Sequence, residues 1–197
     1  MRAALPAALG FVAVAIAVAL GLTRAFDRTV IEPMIIFDVD ALDLISALFS
    51  IAGGIEITGA IVLLAAAFAV RRGGWGGAAP LLMLVGVGIE LALKFTLPQP
   101  LPPSPPAPEF SLPMLRLDTP YSFPSGHELR TTFLAVALTP MRPLWIAIAA
   151  AGVVAMGVSR VYIVQHWPSD VIGGLLLGLA FGLVVRRPYF DAWRRGR

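Results

Sequence analysis

Cysteine is absent from the 197 residues, which excludes disulfides, thiolate nucleophiles and cysteine-based metal sites together. Charge is scarce as well. Only 14% of the residues are Asp, Glu, Lys or Arg, where a soluble domain carries about 25%. Histidine occurs twice, as His127 and His166, so any imidazole chemistry is confined to two positions. What fills the chain instead is apolar: 58% hydrophobic residues and a mean hydropathy of +0.84. That balance describes an integral membrane protein. The net charge of +3 and pI near 9.9 do not indicate nucleic acid, because the basic residues flank apolar runs and form no basic face.

The apolar runs predict an all-α protein of six transmembrane helices in a single domain over 1–197, with spans near 3–22, 44–70, 78–97, 127–140, 144–164 and 168–186. Ala3–Leu22 is twenty uncharged residues, about 30 Å of helix and enough to cross a bilayer. It is longer than a usual signal-peptide core, which favours a retained span over a cleaved leader. Thr23–Asp43 reads as a polar connection. Leu44–Val70 is broken softly at Gly53-Gly54, carries Glu56 without an evident partner, and ends at Arg71-Arg72. The third run carries Glu90 and Lys94 near its far end.

Pro98–Pro113 holds eight prolines in sixteen residues. It cannot be helix or central strand and is expected to run as polyproline II. It is either a stiff linker or, with Phe110–Leu117, a cover over a site mouth in an outer loop spanning 98–124. Ser125-Gly126-His127-Glu128 has capping-box spacing, with Ser at N-cap and Glu at N3. The helix it starts runs to about Pro140, roughly 21 Å and too short to span alone, so its beginning is expected in a polar recess. In the last span Gly174, Gly178 and Gly182 recur every four residues, a small-residue face suited to close helix packing.

Loop charge sets the orientation. With both termini cytoplasmic, Arg2, Arg71, Arg72, Arg142, Arg186, Arg187, Arg194, Arg195 and Arg197 all fall inside. The acidic first loop, the proline-rich loop and both histidines then fall on the periplasmic or extracellular side of a multi-pass cell-membrane protein.

Two short stretches carry chemistry. Ser159–Asp170 packs an arginine, a histidine and an aspartate between two apolar runs, where a charge costs roughly 2.5–3.5 kcal/mol at mid-bilayer. Pro168 suits the first position of the last helix, so Asp170 lies in its first turn, able to reach back to His166. A carboxylate on one imidazole nitrogen fixes the tautomer and leaves the other as nucleophile or base. The alternative is a plain helix cap beside an interfacial histidine. His127 likewise starts a helix, and helix N-termini bind phosphate through unpaired N–H groups and a positive dipole end. With Arg160 and Lys94 these termini form an anion-binding constellation. Lys94 could instead snorkel to the interface or pair with Glu90 one turn earlier.

Lys94, then Pro124-Ser125-Gly126-His127, then Ser159-Arg160 with five residues before His166 and three before Asp170, resembles the type 2 phosphatidic acid phosphatase superfamily. These are lipid phosphate phosphatases that share a helical-bundle fold with vanadium haloperoxidases. The family pattern is KxxxxxxRP, PSGH and SRxxxxxHxxxD. The second and third blocks are complete here, and the first departs: Leu101-Pro102 stand where the family has Arg-Pro. The resemblance implies that His166 attacks phosphorus, Asp170 orients it, and His127 protonates the leaving oxygen and then activates water. Lys94, Arg160 and the Ser125 and Gly126 N–H groups would hold the phosphoryl oxygens, with Arg130 or Arg116 as substitutes for the missing arginine. No metal and no cofactor is implied.

The expected activity is therefore hydrolysis of a membrane lipid phosphate or diphosphate: a polyprenyl diphosphate, a polyprenyl phosphosugar phosphate or a phosphatidate-type lipid. An apolar groove between two helices would take the lipid tail. The alternatives are a lipid phosphotransferase using the same phosphohistidine and a non-catalytic binder or transporter of anionic lipids. The inverted repeats expected of a transporter are not evident in the sequence.

Overall fold

Gly174, Gly178 and Gly182 lie on one face of the last helix, and that face is the seam of the molecule. In the computed structural model, a Cβ added to them would come within 2.4 Å of the Ser125 carbonyl, 2.4 Å of the Leu129 carbonyl and 2.8 Å of Val136 Cβ. The backbones of the two helices therefore touch along three turns, a closeness that larger side chains would forbid. The structure describes residues 2–36, 39–103 and 117–195.

The order is α1 (Leu5–Ala19), α2 (Arg24–Ile31), α3 (Asp40–Ala52), α4 (Ile55–Gly73), α5 (Met83–Thr96), α6 (Gly126–Leu138), α7 (Pro143–Tyr162) and α8 (Pro168–Arg195), with 3-10 turns at Glu32–Ile36 and Trp75–Leu82. Regular structure among the described residues is all helical. Around the α6–α8 seam pack two apolar clusters. One joins Val62, Met83, Phe133 and Val185. The other joins Phe11, Leu97, Phe123, Leu129 and Leu177.

By length and composition, three helical stretches can each cross a membrane, Trp75–Thr96, Pro143–Tyr162 and Pro168–Arg195, and up to five if the bent pairs α1–α2 and α3–α4 each count as one. This is fewer than the six spans expected. α6 is only 13 residues long, about 20 Å, as its sequence foretold. The bend between α3 and α4 is 44° and falls at Gly53-Gly54, where the glycines predicted a break.

Two features go beyond the sequence reading. The polar connection Thr23–Asp43 contains α2 and a 3-10 turn, folded back at 88° to α1. Polar residues there disguised a helix whose inward face carries buried Asp27 and Ile31. The last helix does not stop near 186 but continues to Arg195. Arg186 donates to the Val136 and Thr139 carbonyls at the end of α6. Farther along, Arg72 of α4 lies over the rings of Phe68 and Trp193, 4.2 and 5.0 Å away. Much of the proline-rich segment, and with it the expected cover at Phe110–Leu117 apart from Leu117 itself, lies outside the described residues.

The directions of these helices gather the chemistry at one end. Lys94 closes α5, His127 opens α6, Arg160 closes α7, and His166 and Asp170 stand at the start of α8. Arg71, Arg72, Arg142, Arg187, Arg194 and Arg195 occupy the other end.

Candidate active site

The stop at Gly53-Gly54 does more than bend a helix. The last carbonyls of a helix have no partner within it, and at the end of α3 they are taken by side chains from elsewhere. His127 Nε2 donates to the Ser50 carbonyl (3.2 Å), and Arg130 Nε donates to the Gly53 carbonyl (3.1 Å). Arg160 Nη2 donates to the Ser46 carbonyl (3.1 Å) and to the Ser50 hydroxyl. Cationic and N–H groups thus collect at the negative end of the α3 dipole. Nothing in the sequence of α3 marks Ser46, Ser50 or Gly53 for this. Apart from the Ser50 hydroxyl, what they offer is backbone carbonyl oxygen, which leaves no motif.

Arg160 is completely buried. Its Nη1 donates to Gln165 Oε1 (3.0 Å) and its Nε to the Ser159 hydroxyl (3.4 Å), so residues inside the Ser159–Asp170 stretch hold the guanidinium. On the following turn, Asp170 accepts from the Trp167 N–H (2.9 Å) and from His166 Nδ1 (3.3 Å). The expected contact between His166 and Asp170 is present, and it also serves as the helix cap. Because Nδ1 must donate to a carboxylate, the neutral ring carries its lone pair on Nε2. Nε2 has no partner among the described residues. Burial pushes the His166 imidazole below its ordinary value. The Asp170 hydrogen bond opposes that, while Lys94 and Arg160 act in the same direction as burial.

The two motif stretches meet directly: the Ser125 N–H donates to the Asp170 carbonyl (3.0 Å). Ser125 is the N-cap of α6 as expected, but the capping box is not formed. Glu128 turns along its own helix and accepts from Thr132 (3.1 Å), and the buried Ser125 hydroxyl is left without a partner. Arg160, Arg130 and Lys94 and the imidazole of His166 all lie around His127, which brings the sequence candidates into one constellation.

Lys94 does pair with Glu90, at 3.2 Å, and the other Glu90 oxygen takes Arg130 Nη1 at 3.3 Å. Of the two substitutes considered for the missing arginine, Arg130 is therefore buried beside Lys94, and Arg116 lies outside the described residues. Leu101 is exposed. Among the described residues no group of three or more His, Asp or Glu could hold a metal ion.

Asp27 lies on α2. It is buried and accepts from the Ser169 N–H (2.9 Å) and hydroxyl (2.8 Å), pinning the first turn of α8 to α2. Trp167 Nε1 donates to the Pro100 carbonyl (2.7 Å), which ties the same turn to the segment after Lys94. Beside Arg160 opens an apolar cavity of about 690 Å³, walled by Leu42, Phe49, Val158 and Ile172 and bordered by Ser46, Glu128 and Ser159.

Residues 75–194 match the PAP2 superfamily. An undecaprenyl-diphosphatase of Sulfolobus acidocaldarius is 48% identical over 61 residues, 30% of each chain. A decaprenylphosphoryl-5-phosphoribose phosphatase of Mycobacterium tuberculosis is 38% identical over 73 residues, 36% of this chain and 40% of the relative. The matched stretches thus take in less than half the length of these relatives. Among solved structures, a transmembrane PAP2-type phosphatidylglycerolphosphate phosphatase from Bacillus subtilis superposes with a TM-score of 0.71 at 23% identity, over 97% of this chain and 96% of the other. That likeness establishes the fold.

Proposed function

The chain belongs to the PAP2 superfamily, and from that premise we propose that it is a membrane lipid phosphatase working through a phosphohistidine on His166. The observation that carries the reading is the His166–Asp170 contact beside Arg160, with the unpartnered Ser125 hydroxyl and the start of α6 alongside.

The partners of the two imidazoles support a division of roles. His166 presents the Nε2 lone pair to phosphorus. The P–O bond to the leaving group breaks, and the leaving oxygen takes a proton. His127 has its Nε2–H anchored on the Ser50 carbonyl, so Nδ1 is the nitrogen that faces the chemistry: as the imidazolium His127 gives its Nδ1 proton to the leaving oxygen, and the neutral ring then accepts a proton from the attacking water through Nδ1. Attack by that water breaks the P–N bond, returns the electron pair to His166 and frees inorganic phosphate. Lys94, Arg130, Arg160, the Ser125 hydroxyl and the N–H groups opening α6 hold the phosphoryl oxygens, and catalysis is mainly positioning and charge stabilisation. No residue in this scheme calls for a metal or cofactor.

The substrate is a lipid phosphate or diphosphate whose chain lies in the apolar cavity next to Arg160. The polyprenyl and phosphosugar names among the relatives make such lipids the first to try. The site end lacks the arginine clusters of the opposite end, and the bias of basic residues toward the cytoplasm supports an outer-face site.

The test is phosphate release by purified protein from polyprenyl diphosphate, polyprenyl phosphosugar phosphate and phosphatidate in detergent. One class is expected to be hydrolysed, with no release by His166→Ala. Arg130→Met is expected to lower kcat/KM roughly 10- to 150-fold, the loss of a charge-assisted bond of about 1.5–3 kcal/mol. Equal release by His166→Ala and the wild type would remove the assignment.

A further inference from the structure

Glu90 is only 5% exposed and stands inside the constellation. One carboxyl oxygen lies 3.2 Å from Lys94 Nζ and the other 3.3 Å from Arg130 Nη1. The same carboxyl presses on the start of α6 so closely that a Cβ on Gly126 would come within 2.0 Å of Oε1. Lys94, Arg130 and the Gly126 backbone are three of the groups assigned to the phosphoryl oxygens. A carboxylate already occupies their neighbourhood, at the N-terminus of the helix that offers the anion site.

We propose that Glu90 is the resident anion of the phosphate site, holding its two cations while the site is empty and opposing retention of free orthophosphate after turnover. The proposal rests on the phosphatase reading above. The buried Arg130 guanidinium and the half-buried Lys94 ammonium would carry a desolvation cost without a counter-charge, and Glu90 supplies that charge from within the fold. When phosphate arrives it shares Lys94 and Arg130 with a like-charged neighbour, and in a poorly screened interior that repulsion is felt strongly. A lipid substrate offsets it with its buried chain. Free orthophosphate has no such anchor, so the repulsion falls mainly on the product. A fully cationic cradle would bind the product best and release it slowest, and release is a step that often limits turnover.

The isosteric Glu90→Gln variant separates charge from shape, since its amide oxygen can still accept from one cation. Binding of inorganic phosphate to the full-length protein in detergent, measured by calorimetry, is expected to be about tenfold tighter in E90Q than in the wild type, equivalent to about 1.4 kcal/mol. Unchanged or weaker binding in a folded E90Q would overturn the proposal, leaving Glu90 as a clamp for the cations only. Absence of phosphate binding to both proteins would overturn it too. If E90Q does not fold, Glu90→Asp withdraws the charge by one methylene, and a smaller tightening is expected; none would count against the proposal. Tighter phosphate binding without any release of phosphate from lipids would leave Glu90's role standing and sink the phosphatase reading instead.

Discussion

His166 and Asp170 are four residues apart across the start of a helix, and one carboxylate performs two tasks there. It caps the Trp167 N–H and fixes the imidazole proton on Nδ1. Burial lowers the His166 pKa from its ordinary value near 6.5, so the ring is neutral and nucleophilic at neutral pH and is protonated only as the pH falls below that value. Activity is therefore expected to hold from pH 7 down to about 6.5 and to fall on the acid side, through the lowered His166 pKa. Asp170 raises that pKa through its hydrogen bond and its charge. Asp170→Asn is thus expected to move the acid limb to lower pH while cutting kcat, on the order of 10²-fold or more. A pH–rate profile of the two proteins checks the sign, and an acid limb that moves upward in the variant contradicts the account. At this scale the sequence was most legible where side chains meet side chains over short spacings, as in His166–Asp170 and Glu90–Lys94. It was silent on Ser50 and Gly53, whose contributions are carbonyl groups, and on Asp27, whose partner Ser169 is 142 residues away.

At the scale of elements, the α6–α8 seam is what brings Ser125 onto Asp170. The four-residue glycine spacing announced a close contact, and its partner is α6, the helix that opens with His127. Gly178→Ala places a methyl group against the Leu129 backbone, which has no rotamer by which to retreat. Overpacking of this kind costs about 1–3 kcal/mol. Thermal unfolding in detergent should show a lower midpoint for G178A, whereas Gly88→Ala, where a Cβ meets nothing within 4 Å, should leave it near the wild type. Equal midpoints would mean that the two helices can separate without penalty. The same pattern of polar residues that hid α2 in the first loop shows the limit of periodicity: a short helix with one buried acid reads as a loop until the partner of that acid is known. The continuation of α8 to Arg195 was hidden for a related reason, because charged and aromatic residues after 185 pack as rings and guanidinium groups instead of as an apolar run.

For the whole molecule, composition alone indicated a helical membrane protein, and the fold bears that out in its likeness to a transmembrane PAP2 phosphatase. The number of crossings was less legible, because bent pairs and a 13-residue helix do not divide into uniform spans. The proposed orientation has a simple test, made easier by the absence of cysteine. A single cysteine at Leu117, exposed at the site end, should react with a membrane-impermeant maleimide on intact cells. One at Met141, exposed in the turn between α6 and α7, should react only after permeabilisation, and the reverse pattern would invert the proposed topology. The central claim, that His166 carries the phosphoryl group, is tested most directly by rapid quench of purified protein with a ³²P-labelled lipid substrate. The account predicts a labelled protein, stable to base and labile to acid, that appears in the wild type and is absent from His166→Ala. Label retained by His166→Ala, or hydrolysis by the wild type at full rate with no labelled protein at any quench time, would contradict it.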